Sequence, residues 1–379
     1  MAENKQNKRP NVPPLRFPEF TGEWETQIIN DVCDKFQSGR FIKANLIKPI
    51  GAIPVYGGNG LRGYTDIHNH IGDYVLIGRQ GALCGNVRFV SGKTYITEHA
   101  IAVKGKETTY TRFLLYLFEK MNLGQFSDQS AQPGLAVNKL QRIKINIPHK
   151  NEQKKIAEFL GLLDQRIAVQ SKLIEQLESL IKGITLQASK SSDCESVLLS
   201  NILTERNEAN TAQHEVCSVS VSQGVVNQVE YLGRSFAAKD ISHYNVVHYG
   251  DIIYTRSPTG DFPYGIVKRS HQQNLVAVSP LYGVYIPTSN DIGCFLHYYF
   301  CNAVSAKNYL HKLIQKGAKN TINITNQRFL ENTINLPKAE KLAQVVALLN
   351  CLSNKKQQAE NLLVLLYEQK QFFLNQMFI

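Results

Sequence analysis

The sequence predicts an α+β protein made of two copies of one unit, each a compact domain followed by a long helix. Two observations predict it. The stretch "INIPHKNEQKKIAEFLGLLDQ" at 145 returns as "INLPKAEKLAQVVALLNCLSN" at 334. Each copy is a short apolar strand, a proline, a polar joint and then a run of heptads. Upstream, shorter markers recur in the same order.

The helices are the firmest elements. The first apolar ladder runs Ile156, Leu160, Leu163, Ile167, Gln170, Ile174, Leu177, Ile181, Ile184, Ala188. The second runs Val345, Leu349, Leu352, Lys356, Ala359, Leu363, Leu366, Lys370, Phe373, Met377. Steps of four and three put a narrow stripe on one side of a helix, the seam of a coiled coil. A helix of about 38 residues is about 57 Å long. One such helix alone leaves its stripe wet; two in one chain can bury each other. Gln170, Lys356 and Lys370 are polar rungs, which weaken a seam and help to fix its register. Two separate helices, each packed on its own domain, or a homotypic dimer through either helix, remain alternatives. The helices are expected over 151–189 and 338–379.

The domains fill 16–150 and 190–337, after an arm at 1–15 that reads as flexible. "GDYVLIGRQGALCGNVRFV" (72–90) resembles "GDIIYTRSPTGDFPYGIVKRS" (250–270), and "IINDVCDKF" (28–36) resembles "LLSNILTER" (198–206). The offset between copies grows along the chain, so loops differ in length. Each copy also has an aromatic-rich helix, "TRFLLYLFEKM" (111–121) and "GCFLHYYFCNAV" (293–304).

Composition narrows the function. Residues 1–150 hold 20 Lys and Arg against 12 Asp and Glu, whereas residues 191–337 hold 11 of each. A basic first domain invites a polyanion, nucleic acid above all. The seven cysteines form no C-x-x-C pair, as expected of a reduced, cytosolic protein. No run of 18 apolar residues spans a membrane. Motifs for chemistry are missing. "SGKT" (91–94) lacks the upstream glycine of a phosphate-binding loop and reads as the hairpin turn between "NVRFV" and "HAIAVKG". "VYGGNGLRGY" lacks dinucleotide spacing. His68 and His70 in "DIHNH" are the closest histidine pair, but they match no zinc-ligand spacing, so no metal is expected. The chain reads as a binder with no catalytic residue.

Three loops of the first domain combine glycine, amide, guanidinium and aromatic groups: "YGGNGLRGY" (56–64), "GRQGALCGN" (78–86) and "SDQSAQPGLAVNKL" (127–140). Arg and Lys suit guanine edges, and Asn and Gln suit adenine edges. Strand-end and loop placement selects Arg62, Tyr64, Arg79 and Gln80 in the first domain as DNA contacts. In the second it selects Arg256 and Thr259, and Lys316, Lys319 and Asn320 from "QKGAKNT".

The start "PPLRFPEFTGEWE", the stretch "IPVYGGNGLRGY", "SAQPGLAVNKLQRIKINIP" and "NEQKKIAEFLGLLDQRI" resemble the specificity subunit of type I restriction-modification systems. The resemblance covers both halves, from residue 13 onward. In the second copy Lys341 and Leu342 stand where Glu152 and Gln153 stand, and Ser353 replaces Asp164. The resemblance implies two target-recognition domains, each reading one half of a split double-stranded DNA sequence, and long helices paired as an antiparallel coiled coil that sets the spacer. It implies two docked modification subunits that methylate adenine N6 with S-adenosylmethionine. It implies restriction subunits that use ATP and Mg, no cofactor on this chain, and work in the cytoplasm on the nucleoid. The diverged loops point to two different half-sites. A coiled-coil assembly protein and a solitary DNA-binding regulator are the competing readings.

Overall fold

The computed structural model describes residues 11–128, 134–234, 237–316 and 322–379. It divides into two compact units, one of residues 1–170 with 361–379, the other of residues 171–360. Both long helices therefore contribute to both units.

In the first unit the elements run β1 (Glu25–Ile28), α1 (Ile29–Val32), β2 (Cys33–Ser38), β3 (Ile53–Gly57), β4 (Gly60–Thr65), β5 (His70–Ile71), β6 (Tyr74–Gly78), β7 (Val87–Val90), β8 (Lys93–Ile96), β9 (Ala100–Gly105), α2 (Thr111–Met121), α3 (Val137–Gln141), β10 (Lys144–Ile147) and the start of α4 (Lys150–Ala188). Two four-stranded sheets form, ordered β2-β9-β6-β7 and β4-β3-β8-β5, and β1 pairs with β10. Every residue of β6 is buried. Val75 and Ile77 join the core under α2, while Tyr74 and Leu76 pack with Val90, Ile96, Ala100 and Ala102. A strand covered on both faces reads as a continuous apolar run, as "YVLI" does. The segment at 91–94 departs from expectation. Gly92 does turn, at φ 84°, but Lys93 and Thr94 begin β8, and β7 and β8 belong to different sheets. Their residues form a crossover between sheets instead of a hairpin.

The second unit continues with the end of α4, then β11 (Cys194–Leu198), β12 (Leu203–Glu205), β13 (Cys217–Ser220), β14 (Gly224–Asn227), α5 (Gln228–Leu232), β15 (Asn245–Val247), β16 (Ile252–Thr255), β17 (Ile266–Arg269), β18 (Val276–Val278), β19 (Gly283–Pro287), α6 (Asn290–Cys301), α7 (Ala303–His311), β20 (Gln315–Lys316), β21 (Ile322–Asn323), α8 (Asn326–Phe329), β22 (Thr333–Pro337) and α9 (Ala339–Gln376). Its main sheet is ordered β12-β19-β16-β17, and β11 pairs with β22. Strand for strand, this repeats the order of the first unit. The Gly-Asp markers hold the same turn in both, with Gly72 at φ 104° and Gly250 at φ 92°, a conformation that favours glycine. The copies differ in the accessory strands. The second unit has the pairs β13-β14 and β15-β18 in place of a second four-stranded sheet.

The heptads behave as the pattern requires. Every rung of both ladders is buried or half-buried. In the first unit Ile156, Leu160 and Leu163 of α4 share a core with Leu374, Met377 and Phe378 of α9, so the start of one helix packs on the end of the other. In the second unit Lys356 of α9 pairs with Glu178 of α4 at 3.1 Å. Both arrangements are antiparallel. Lys370 is likewise satisfied, with Glu119 and Asp164 each at 2.8 Å.

Two details of the joints depart from expectation. Residues 1–10 of the expected arm lie outside the described residues, but 11–15 are tied down. Asn11 Nδ2 donates to Trp24 O at 2.5 Å, and the Leu15 N–H to Gln376 O at 2.9 Å. The heads of the two long helices also solve one problem in two ways. At the first, buried Glu152 accepts both Nε and Nη2 of Arg16 at 2.7 Å, and buried Gln153 accepts the Tyr110 N–H at 2.8 Å. At the second, Leu342 fills the place of Gln153 with apolar core, and Lys341 is exposed. Where Tyr116 donates to Asp164 at 2.7 Å, Tyr298 donates to Asn350 at 3.0 Å. Among the described residues no helix is long and apolar enough to cross a membrane.

Candidate nucleic-acid interface

Three loops far apart in sequence meet at one edge of the first unit. The β3–β4 turn holds Gly57–Gly60, and the loop after β6 holds Gly78–Asn86. A Cβ on Gly78 would lie 2.7 Å from Gly58 O, and one on Gly58 would lie 2.8 Å from His99 O. Only glycine permits these backbones to touch. The third loop joins through backbone bonds. The Leu135 N–H donates to Arg79 O at 2.9 Å, and Gln80 bridges Gly134. Lys139 pairs with Asp128 at 2.8 Å across the base of this loop; residues 129–133 lie outside the described residues.

Side chains follow from that framework. Arg79 leaves the end of β6 half-buried, with Nε 3.4 Å from Leu135 O. Gln80 is exposed, and its Oε1 meets His99 Nδ1 at 3.0 Å. Arg62, exposed on β4, lies along Gly57, its Cδ 2.8 Å from where a Cβ there would sit. Tyr64, two residues on, is half-buried, and its backbone exchanges both hydrogen bonds with Lys48 at 2.8 Å. Sequence reasoning passed over Arg88. It projects from β7 to within 3.1 Å of a Cβ position on Gly60, so two guanidiniums bracket one glycine turn. Its signal was alternation, because Arg88 is exposed between half-buried Val87 and Phe89. His99 was missed as well, since only folding places it beside Gln80. Gly58 and Gly78 let these loops approach each other. Gly81, at φ 87°, and Gly134 have open space beside them.

The second unit is built differently. Arg256 follows β16, half-buried, and its Nη2 donates to Asn326 Oδ1 at 2.6 Å. Asn326 in turn donates to Glu205 Oε1 at 2.7 Å. Among the described residues Arg256 Nε is buried without a partner, so there this guanidinium is held through Nη2 alone. Thr259 is exposed in a tight turn and exchanges backbone bonds with Phe262 at 2.9 and 3.1 Å. Lys316 lies on β20, opposite Ile322 of β21. Lys319 and Asn320 lie outside the described residues. Among the described residues the structure thus brings Arg62, Arg79 and Gln80 together, sets Tyr64 further along β4 from Arg62, and gives no comparable cluster around Arg256.

Comparison with known proteins bears on this edge. Residues 21–179, which include all three loops and most of α4, match the family model described as type I restriction modification DNA specificity domain. The type I restriction enzyme EcoprrI specificity subunit of Escherichia coli is 39% identical over 154 residues. That alignment covers 40% of this chain and 38% of the relative's own length. The crystal structure of a type I restriction-modification S subunit from M. genitalium superposes with TM-score 0.67 at 15% identity, covering 97% of this chain and 99% of that one. Residues 21–179 are therefore similar to the type I restriction-modification DNA specificity domain, and the chain as a whole shares its fold with the S subunit from M. genitalium.

Proposed function

We propose that this chain is the DNA-reading, non-catalytic subunit of a type I restriction-modification enzyme, each unit reading one half of an asymmetric bipartite target. The observation that carries this reading is the meeting of three loops at one edge, with Arg62, Arg79, Gln80 and Arg88 around glycine turns. Guanidiniums and amides on a rigid sheet edge suit base and phosphate contact. In the second unit Arg256, Thr259, Lys316, Lys319 and Asn320 are the contacts proposed. The equal acid and base content of residues 191–337 means that this half depends more on partner subunits for phosphate contacts.

The helices set the spacer and dock two modification subunits, which bring S-adenosylmethionine and methylate adenine N6; restriction subunits with ATP and Mg join them. Exposed apolar side chains support docking: Leu162, Val364 and Leu365 in the first unit, Leu173, Leu180 and Leu348 in the second. A soluble helix is expected to hide such residues against a partner. The test is to co-purify the chain with an adenine methyltransferase encoded beside it and map methylated adenines across a genome. A split, asymmetric motif is expected. No methylation, or one contiguous palindrome, would overturn the reading, and co-purification without sequence preference would favour a coiled-coil assembly protein.

A further inference from the structure

The second unit holds a buried cation beside a thiol. Lys268 on β17 is 5% exposed. Among the described residues its ammonium donates to Cys301 Sγ at 3.2 Å, and no carboxylate is within ion-pairing distance. An ammonium withdrawn from water needs a counter-charge, and a thiol supplies one by losing its proton. His297, one turn before Cys301 on α6, faces the same sulfur through Nε2 at 3.7 Å. The Arg269 N–H donates to His297 Nδ1 at 3.3 Å, which leaves the ring proton on Nε2, directed at the sulfur. Burial alone would push this thiol up; His297 and Lys268 outweigh it and bring Cys301 down to about 6. Cys33 and Cys217, where burial prevails, are pushed up to about 12.

The sulfur lines a cavity of about 500 Å³ between α6, β17, the β13–β14 turn and the parts of α4 and α9 that belong to this unit. The cavity's carboxylates, Glu178 and Glu360, are engaged by Lys356 at 3.1 and 3.3 Å. Lys182 lines the α4 side. His271 packs edge-on against His297 at 5.3 Å, and burial, then His297 and Arg269, lower it to about 4. The sulfur therefore faces donors, in a space open to a small molecule.

We propose that Cys301 is a modification site for small hydroperoxides. The thiolate attacks the terminal peroxide oxygen, so an S–O bond forms and the O–O bond breaks. Sulfur gives up two electrons and the peroxide takes them. The departing oxygen takes a proton from the Lys268 ammonium while His297 Nε2–H donates a hydrogen bond to it, and the sulfenic acid returns a proton to Lys268. Net, thiolate and hydroperoxide give sulfenate and alcohol, or water where the peroxide is hydrogen peroxide. Two N–H donors suit an oxygen leaving group and the sulfenate that remains.

The test treats the full chain with limiting hydrogen peroxide near pH 6, traps sulfenate with dimedone and maps the labelled peptides. Cys301 is expected to label about tenfold faster than exposed Cys351. Lys268→Met is expected to slow Cys301 by about tenfold near pH 6 and to recover as pH rises, while Lys268→Arg keeps the fast rate. Labelling of Cys301 no faster than Cys351, or an unchanged rate in Lys268→Met, would overturn the proposal. If circular dichroism shows Lys268→Met unfolded, His297→Gln takes its place with the same two outcomes, and the unmodified chain decides in either case.

Discussion

Arg79 and Arg88 reach one edge of the first unit with different freedom. Arg79 is half-buried and held by the third loop, whereas Arg88 is exposed on a strand. A constrained guanidinium suits bidentate base reading, and an exposed one suits phosphate. Arg79→Ala is expected to relax one position of the methylated motif, costing about 1–3 kcal/mol there. Arg88→Ala is expected to weaken all sequences alike and lower the salt slope by about one. Binding titrations at several salt concentrations, with mapped methylation, separate the two. His70 makes a pH prediction. Burial, then Lys35 and Arg40, lower it from 6.5 to about 4. The unfolded chain therefore takes up the proton first, so this stability is present above pH 6.5 and lost as pH falls toward about 4. His70→Asn is expected to flatten the fall in urea midpoint over that window. Of the proposed contacts, Arg79 was legible because it ends an apolar strand; Arg88 carried only the weak signal of alternation, and its place beside Gly60 comes from another part of the chain.

The two long helices were the most legible elements, because burial with a period of 3.5 is written directly into local sequence. Leu160 and Leu349 are fully buried. Truncating either to Ala is expected to cost about 2–5 kcal/mol, read from the urea midpoint. Leu162, 61% exposed two residues from Leu160, is the matched control. Leu162→Glu is expected to leave the midpoint within about 0.5 kcal/mol and to reduce co-purification of the methyltransferase subunit; unchanged co-purification would remove Leu162 from the docking surface. The second helix head shows the limit of local reading. Lys341 and Leu342 put the polar contacts of the first head in doubt, and in the structure apolar packing of Leu342 stands in their place. Sequence cannot tell a lost contact from a substituted one, since the answer lies in the pocket that receives the side chain. The crossover at Ser91–Gly92 failed for the same reason: strand pairing is a choice of distant partner.

At the scale of the whole chain, the first unit is completed by residues 361–379. Trp24, the single tryptophan, meets Phe113 and Phe378, each at 6.3 Å. Phe378→Ala is expected to redshift Trp24 emission and destabilise this unit by about 3–5 kcal/mol, while the buried aromatics of the second unit stay protected from hydrogen exchange. An unchanged emission spectrum would mean that the tail is not part of this core in solution. The sequence by itself determined the duplication, the two heptad helices with their seams, and the resemblance that points to DNA reading, because each is carried by residues near one another in the chain. Only the tertiary structure decided which loops meet, through the backbone contact of Gly58 and Gly78. It also decided that the last turns of α9 close the first core, and that Cys301 shares a cavity with Lys268. These depend on contacts between distant segments, whose partners are selected by shape and by the need to satisfy buried polar groups, and no local pattern records that choice.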